Sequence, residues 1–237
     1  MERERAIGER PAVCAHEGRS VEEPCVFIVD DDSAIREAIS ELILSAGLRA
    51  DSFASTQELV DAQVRDRPGC LILDVRMPGT SGLDLQTHLA ASGDCKPVIF
   101  LTGHGDIPMT VQAMKCGAVD FLTKPVREQA LLDAVSAAIT LDTTRRADAA
   151  VLRRHIERIR TLTRREREVL REVARGRLNK QIAYDLGISE VTVKLHRGNA
   201  MRKMEMPSLA SLIRMWETLP SDLREAAPRQ TRQLTSS

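Results

Sequence analysis

From residue 25 onward, short apolar runs alternate with longer stretches whose apolar positions recur at helical spacing. The runs are CVFIV (25–29), RADSF (49–53), CLILD (70–74), PVIFLT (97–102) and AVDFLT (118–123). They are too short for helices, and those without polar alternation read as strands buried on both faces. Between the first two, SAIREAISELILSAG sets Ile35, Ile39, Leu42 and Ile43 on one helical face and stops at Gly47. STQELVDAQV opens with Ser55 and carries Glu58 three residues on, the spacing of a capping box. LDLQTHLAAS, IPMTVQAMKCG and EQALLDAVSAAI supply the remaining crossovers. Five strands alternating with five helices predict an α/β domain over residues 25–140, a (βα)5 unit. Its crossovers force a doubly wound parallel sheet, covered on both faces.

The period changes after residue 140. Residues 141–160 are polar and Arg-rich, with Leu152, Ile156 and Ile159 in one narrow stripe, the pattern of a linker helix. LTRREREVL begins a helix with Thr163 as cap and Glu166 closing a capping box. Another helix starts near Asn179, runs through KQIAYDL and meets Gly187; Ser189 caps the next, SEVTVKLHRGNAMRKM. Two short helices joined by a Gly-containing turn predict a helix-turn-helix in an all-α domain over 161–219. Val193, Ala200 and Met204 share its inward face, while Lys194 and Arg197 face away. Such a helix suits a DNA major groove: Lys194 and Leu195 reach base edges, and Asn179, Lys180, Ser189 and Thr192 are placed for phosphates. An amphipathic helix with solvated cations is the competing reading. Residues 1–24 and 220–237 carry no apolar period and are expected to be mobile.

Charge sharpens the division between the halves. Over 237 residues, 34 basic and 34 acidic side chains cancel. Residues 25–140, however, hold 16 acidic against 9 basic (−7), and 161–219 hold 12 basic against 7 acidic (+5). A basic second half favours a nucleic-acid partner there. MERERAIGER has no apolar core of the secretory kind, and no later run approaches the roughly 18 apolar residues of a membrane span. The expectation is a cytoplasmic protein with no membrane partner. Its five cysteines are scattered without a CxxC, which favours reduced thiols over a redox or metal site.

Ligands of open parallel sheets sit beyond the carboxyl ends of the strands. Asp30, Asp31 and Asp32 follow the first run, Asp74 ends the third, Thr102 ends the fourth, and Lys124–Pro125 follow the fifth. Carboxylates gathered at one edge raise each other's proton affinity unless a cation lies among them. The oxygen-only set suits Mg²⁺. Asp74 is then placed as a nucleophile forming an acyl phosphate, with Lys124 on the phosphoryl oxygens and Thr102 donating a hydrogen bond. Strand-end turn residues with one Lys–Asp pair account for any single placement, less readily for all of them.

The order Asp30–Asp31, Asp74 with Met77–Pro78 and Gly82, Thr102, then Lys124–Pro125 resembles the receiver domain of two-component response regulators. LTRREREVL, NKQIA and TVKLHR with MRKM resemble the LuxR-type helix-turn-helix. Together they are similar to the NarL/FixJ group, over residues 25–217. The resemblance implies that Asp74 accepts a phosphoryl group from a sensor histidine kinase. It also implies that Asp30, Asp31, Asp74 and the Arg76 main-chain carbonyl hold Mg²⁺, and that Thr102 and Phe121 reorient together as the switch. The partners it implies are promoter DNA and RNA polymerase, and the form a phosphorylation-induced homodimer that activates transcription. Without the resemblance, Phe121 reads as a core aromatic. SLASLIRMWETL, with Leu209, Leu212, Ile213 and Trp216 on a stripe, resembles the family's dimerisation helix, and domain core is its competing use. Arg76 and His104 flank the pocket, either tuning phosphate lifetime or standing by. Gly198 departs from members that carry a base-contacting cation there, at a helix cost of about 1 kcal/mol relative to Ala. Two alternatives use the same residues. A constitutive DNA binder would dock through its receiver without phosphorylation. An aspartyl-phosphate phosphatase would need a second Asp where Arg76 stands, so the expectation is a protein that is not an enzyme.

Overall fold

The computed structural model describes residues 23–93, 95–103 and 107–225, in two compact units that divide between Thr143 and Thr144. The expectations for residues 1–22, for His104 and for 226–237 lie outside the described residues.

In the first unit, strands β1 (Cys25–Val29), β2 (Arg49–Phe53), β3 (Gly69–Leu73), β4 (Val98–Thr102) and β5 (Asp120–Thr123) pair in parallel, in the order β2-β1-β3-β4-β5. Period-2 alternation divides their side chains between two cores. Phe27, Val29, Leu71, Leu73, Val98 and Phe100 pack on one face with Leu59 of α2 (Thr56–Asp61), Leu85 of α3 (Gly82–Ala91) and Ala113 of α4 (Ile107–Lys115). Val26, Ile28, Ile72, Ile99 and Leu101 pack on the other with Ile39 and Ile43 of α1 (Ser33–Ser45) and Leu131 and Val135 of α5 (Glu128–Arg160). The doubly wound sheet expected from the alternation is thus present.

Its edges differ from the sequence runs by a residue or two. β3 ends at Leu73, so Asp74 is the first residue past the strand; β5 starts only at Asp120. The larger difference is α5, one helix of 33 residues where the sequence suggested a receiver helix and a separate linker helix. No Gly or Pro interrupts 128–160, so nothing local ends it. In the first unit, Asp142 of α5 accepts the Gly69 N–H at 2.8 Å, fixing the entry to β3. In the second unit, Leu152, Ile156 and Ile159 join the helical core.

That core is closed by α6 (Arg164–Ala174), α7 (Asn179–Leu186), α8 (Glu190–Lys203) and α9 (Leu209–Thr218). The Thr163–Glu166 capping box forms reciprocally, with Thr163 N–H donating to Glu166 at 2.8 Å and Glu166 N–H donating to Thr163 Oγ1 at 3.3 Å. Burial works against the Glu166 charge, but Lys203 Nζ at 2.7 Å and the Thr163 bonds outweigh it and hold the carboxyl below its usual range. Gly187 ends α7 in the left-handed region (φ 64°), where a β-carbon is disfavoured, and so makes the tight turn to α8. Leu212, Met215 and Trp216 of α9 are buried in the domain core. A short helix, α10 (Ser221–Glu225), occupies the start of the segment expected to be mobile, its first turn closed on the Pro220 carbonyl. No helix among the described residues is long and apolar enough to cross a membrane.

Candidate functional site

The chain runs from β1 outward to β2, returns to β3 and proceeds to β4 and β5, so the winding reverses between β1 and β3. The crevice of such a sheet lies at that reversal. The register Val29↔Leu73 sets the next residues, Asp30 and Asp74, side by side there. Both are buried, while Asp31 is exposed. One carboxylate oxygen from each of Asp30, Asp31 and Asp74 lies within 4.8 Å of the others.

Lys124, directly after β5, reaches across with Nζ 2.5 Å from Asp30 Oδ2 and 2.8 Å from Asp74 Oδ2. Burial disfavours the Lys124 charge, but the hydrogen bonds to Asp30 and Asp74 prevail and hold its pKa above the ordinary lysine value. The remaining oxygens are held by backbone donors: Asp32 N–H donates to Asp30 Oδ1 at 3.0 Å, and Arg76 N–H donates to Asp74 Oδ1 at 3.1 Å. Thr102 is buried at the end of β4, its carbonyl accepting the Lys124 N–H at 2.8 Å. Phe121 is half-buried, its ring 6.1 Å from that of Phe100. The Arg76 side chain is exposed.

Two residues have structural jobs that the sequence reading did not assign. Asp32, counted among the crevice acids, is the N-cap of α1, accepting the Ala34 N–H at 2.9 Å; its place just before Ser33–Ala34 was the available signal. Arg36, one turn into α1, donates to the Asp30 carbonyl at 2.6 Å and ties the helix to the acidic loop, a side-chain contact six residues back with no sequence signature.

A glycine shortly after a proline in a loop ordinarily supplies a turn conformation that other residues resist, but positive φ in this loop falls at Gly79 (86°) and not at Gly82. A Cβ on Gly82 would stand 2.3 Å from the Asp74 carbonyl oxygen and 3.2 Å from the Phe100 ring. Glycine is therefore required by close approach at the first turn of α3. Gly82→Ala is expected to cost about 1–3 kcal/mol in chemical unfolding, the usual range for overpacking, and to slow phosphoryl uptake by displacing Asp74. Wild-type stability with unchanged uptake would refute the crowding.

In the second unit, Ser189 caps α8, its Oγ accepting the Thr192 N–H at 3.1 Å and lying 2.8 Å from Thr192 Oγ1. Lys180, Lys194 and Leu195 are exposed. Arg197, expected to face away, is half-buried and donates to Asn179 Oδ1 at 3.2 Å, tying α8 to the start of α7. Gly198 is exposed on α8 with open space around it.

An acidic crevice bridged by a lysine at the switch point of a doubly wound sheet, followed by a basic helix-turn-helix, defines a signal-receiving DNA binder. Residues 26–136 match the response regulator receiver domain, and 160–216 match the luxR family of bacterial regulatory proteins. Nodulation protein W of Bradyrhizobium diazoefficiens is 51% identical over 194 residues, covering 82% of this chain and 86% of that protein. The response regulator protein TodT of Pseudomonas putida is 49% identical over 198 residues, covering 84% and 87%. The solved structure of the response regulator StyR is 47% identical, covers 82% of this chain and 98% of that one, and superposes with a TM-score of 0.73. The chain belongs to the response regulators that join a receiver domain to a LuxR-type DNA-binding domain. It is accordingly a phosphorylation-activated regulator of transcription.

Proposed function

We propose that Asp74 accepts a phosphoryl group from a sensor histidine kinase and that this drives the chain to pair and to bind promoter DNA. The supporting observation is Lys124 Nζ bonded to both Asp30 and Asp74, which holds two buried carboxylates close together at the crevice. Asp30, Asp31 and Asp74 form an oxygen-only donor set suited to Mg²⁺, to which the Arg76 main-chain carbonyl would add a further ligand. Bound there, the ion supplies charge neutralisation as the phosphoryl group approaches.

An Asp74 carboxylate oxygen attacks phosphorus, the bond from phosphorus to the histidine nitrogen breaks, and its electron pair returns to the imidazole. The product is an acyl phosphate whose oxygens Lys124 and Thr102 clamp. Drawing Thr102 inward opens room for the half-buried Phe121 ring, and the local change biases a pre-existing equilibrium of that face. Pairing is supported by α4, which exposes Ile107 (81%), Val111 (45%) and Met114 (45%) at spacings that make one apolar stripe. Two linked DNA-binding units on a two-fold site then gain from effective concentration. In this reading the chain is a cytoplasmic activator acting with RNA polymerase. Asn179, Lys180, Ser189, Thr192, Lys194, Leu195 and Arg197 serve the DNA interface, and the chain is not an enzyme.

The test is sedimentation of the full chain in Mg²⁺ with and without acetyl phosphate, alongside its affinity for DNA. The donor is expected to convert monomer to dimer and to tighten DNA binding. Phosphorylated protein of unchanged mass would overturn pairing, and unchanged DNA affinity would favour the constitutive binder.

A further inference from the structure

The outward face of α8 begins apolar. Val191 is 76% exposed and Leu195 61% exposed, four residues apart on one face, opposite the fully buried Val193 and Ala200. Neither belongs to the helical core or packs at its margin. Gly198 continues the same line three residues on, with nothing within 4 Å of where a β-carbon would stand. Arg202 follows four further, exposed. Exposed Lys194 lies beside this line on α8, Lys180 is exposed at the start of α7, and residues 161–219 carry a +5 balance, a combination that suits an anionic partner with an apolar strip. The major groove offers that combination, because its one protruding apolar group is the thymine C5-methyl. Arg197, held by Asn179, is turned from this line toward α7.

We propose that Val191 and Leu195 read thymine methyl groups, so that Val191 is a specificity-determining residue and the half-site is chosen by apolar contact as well as by cations. Gly198 contributes by having no side chain, which lets that turn of α8 lie close against the base edges. The proposal rests on the DNA-binding reading above and names the chemistry that is read.

The experiment takes the full chain with Mg²⁺ and acetyl phosphate and enriches duplexes from a random pool. In the enriched duplex each thymine is then replaced singly by deoxyuridine, which removes only the methyl group. At two neighbouring thymines of a half-site, replacement is expected to weaken binding about fourfold each, the effect of one buried methyl. Val191→Ala abolishes the sensitivity at one of them and Leu195→Ala at the other, with the response to the remaining thymine kept. Enriched duplexes that lack thymine in the half-site, or that tolerate deoxyuridine throughout, overturn this inference and leave DNA binding standing. A pool in which nothing is enriched overturns the DNA-binding reading itself, and this inference with it.

Discussion

Asp74→Asn protein is expected to take up no phosphoryl group from acetyl phosphate in Mg²⁺, and to bind DNA with the same affinity with and without the donor. The substitution is nearly isosteric, and the amide oxygen still accepts the Arg76 N–H that Asp74 Oδ1 accepts at 3.1 Å. What it removes is the carboxylate proposed as the nucleophile, and no other carboxylate among the described residues stands in the same position. Asp30 has one oxygen against Lys124 at 2.5 Å and the other on the Asp32 N–H at 3.0 Å, and Asp31 is exposed at the mouth of the crevice. The variant should fold, because Lys124 keeps Asp30 as a partner. Intact-mass spectrometry reads the uptake directly. A variant that gains the phosphoryl mass as the wild type does would place the acceptor elsewhere and sink the proposed mechanism.

The second large effect concerns Lys124, which bonds two buried carboxylates at once. Lys124→Met keeps much of the side-chain volume and removes the charge, leaving Asp30 and Asp74 facing each other unneutralised. Breaking a buried pair from one side costs about 3–5 kcal/mol, and urea unfolding of the Mg²⁺-free protein should show a loss of that order. Mg²⁺ should recover more stability in the variant than in the wild type, since it supplies the missing charge among Asp30, Asp31 and Asp74. The pH window follows from the raised Lys124 pKa. The lysine's contribution is complete below its unfolded value of about 10.4 and fades only as pH rises through the higher folded value. The comparison at neutral pH therefore measures the full effect. Equal stability of the two proteins without Mg²⁺ would show that the crevice acids do not need the lysine.

Local periodicity carried most of the fold. Apolar runs separated by helical stretches favour a parallel, doubly wound sheet, and the residue after each run falls at its carboxyl edge, where the crevice opens. That is why Asp30, Asp74, Thr102 and Lys124 were legible before any coordinates. Caps were legible for the same reason: Ser55, Thr163 and Ser189 bond the N–H three residues on, a contact fixed within one turn of chain. Tertiary structure alone decided the rest. Whether Asp32 faces the crevice or caps α1, whether Gly82 answers a conformation or the Asp74 carbonyl, and whether Arg197 faces outward or Asn179 depend on what lies across the space from each side chain. The continuity of α5 belongs partly to each, since the sequence contains no breaker but its length was settled by two cores claiming opposite ends. Periodicity assigns a residue to a face; only packing determines what that face meets.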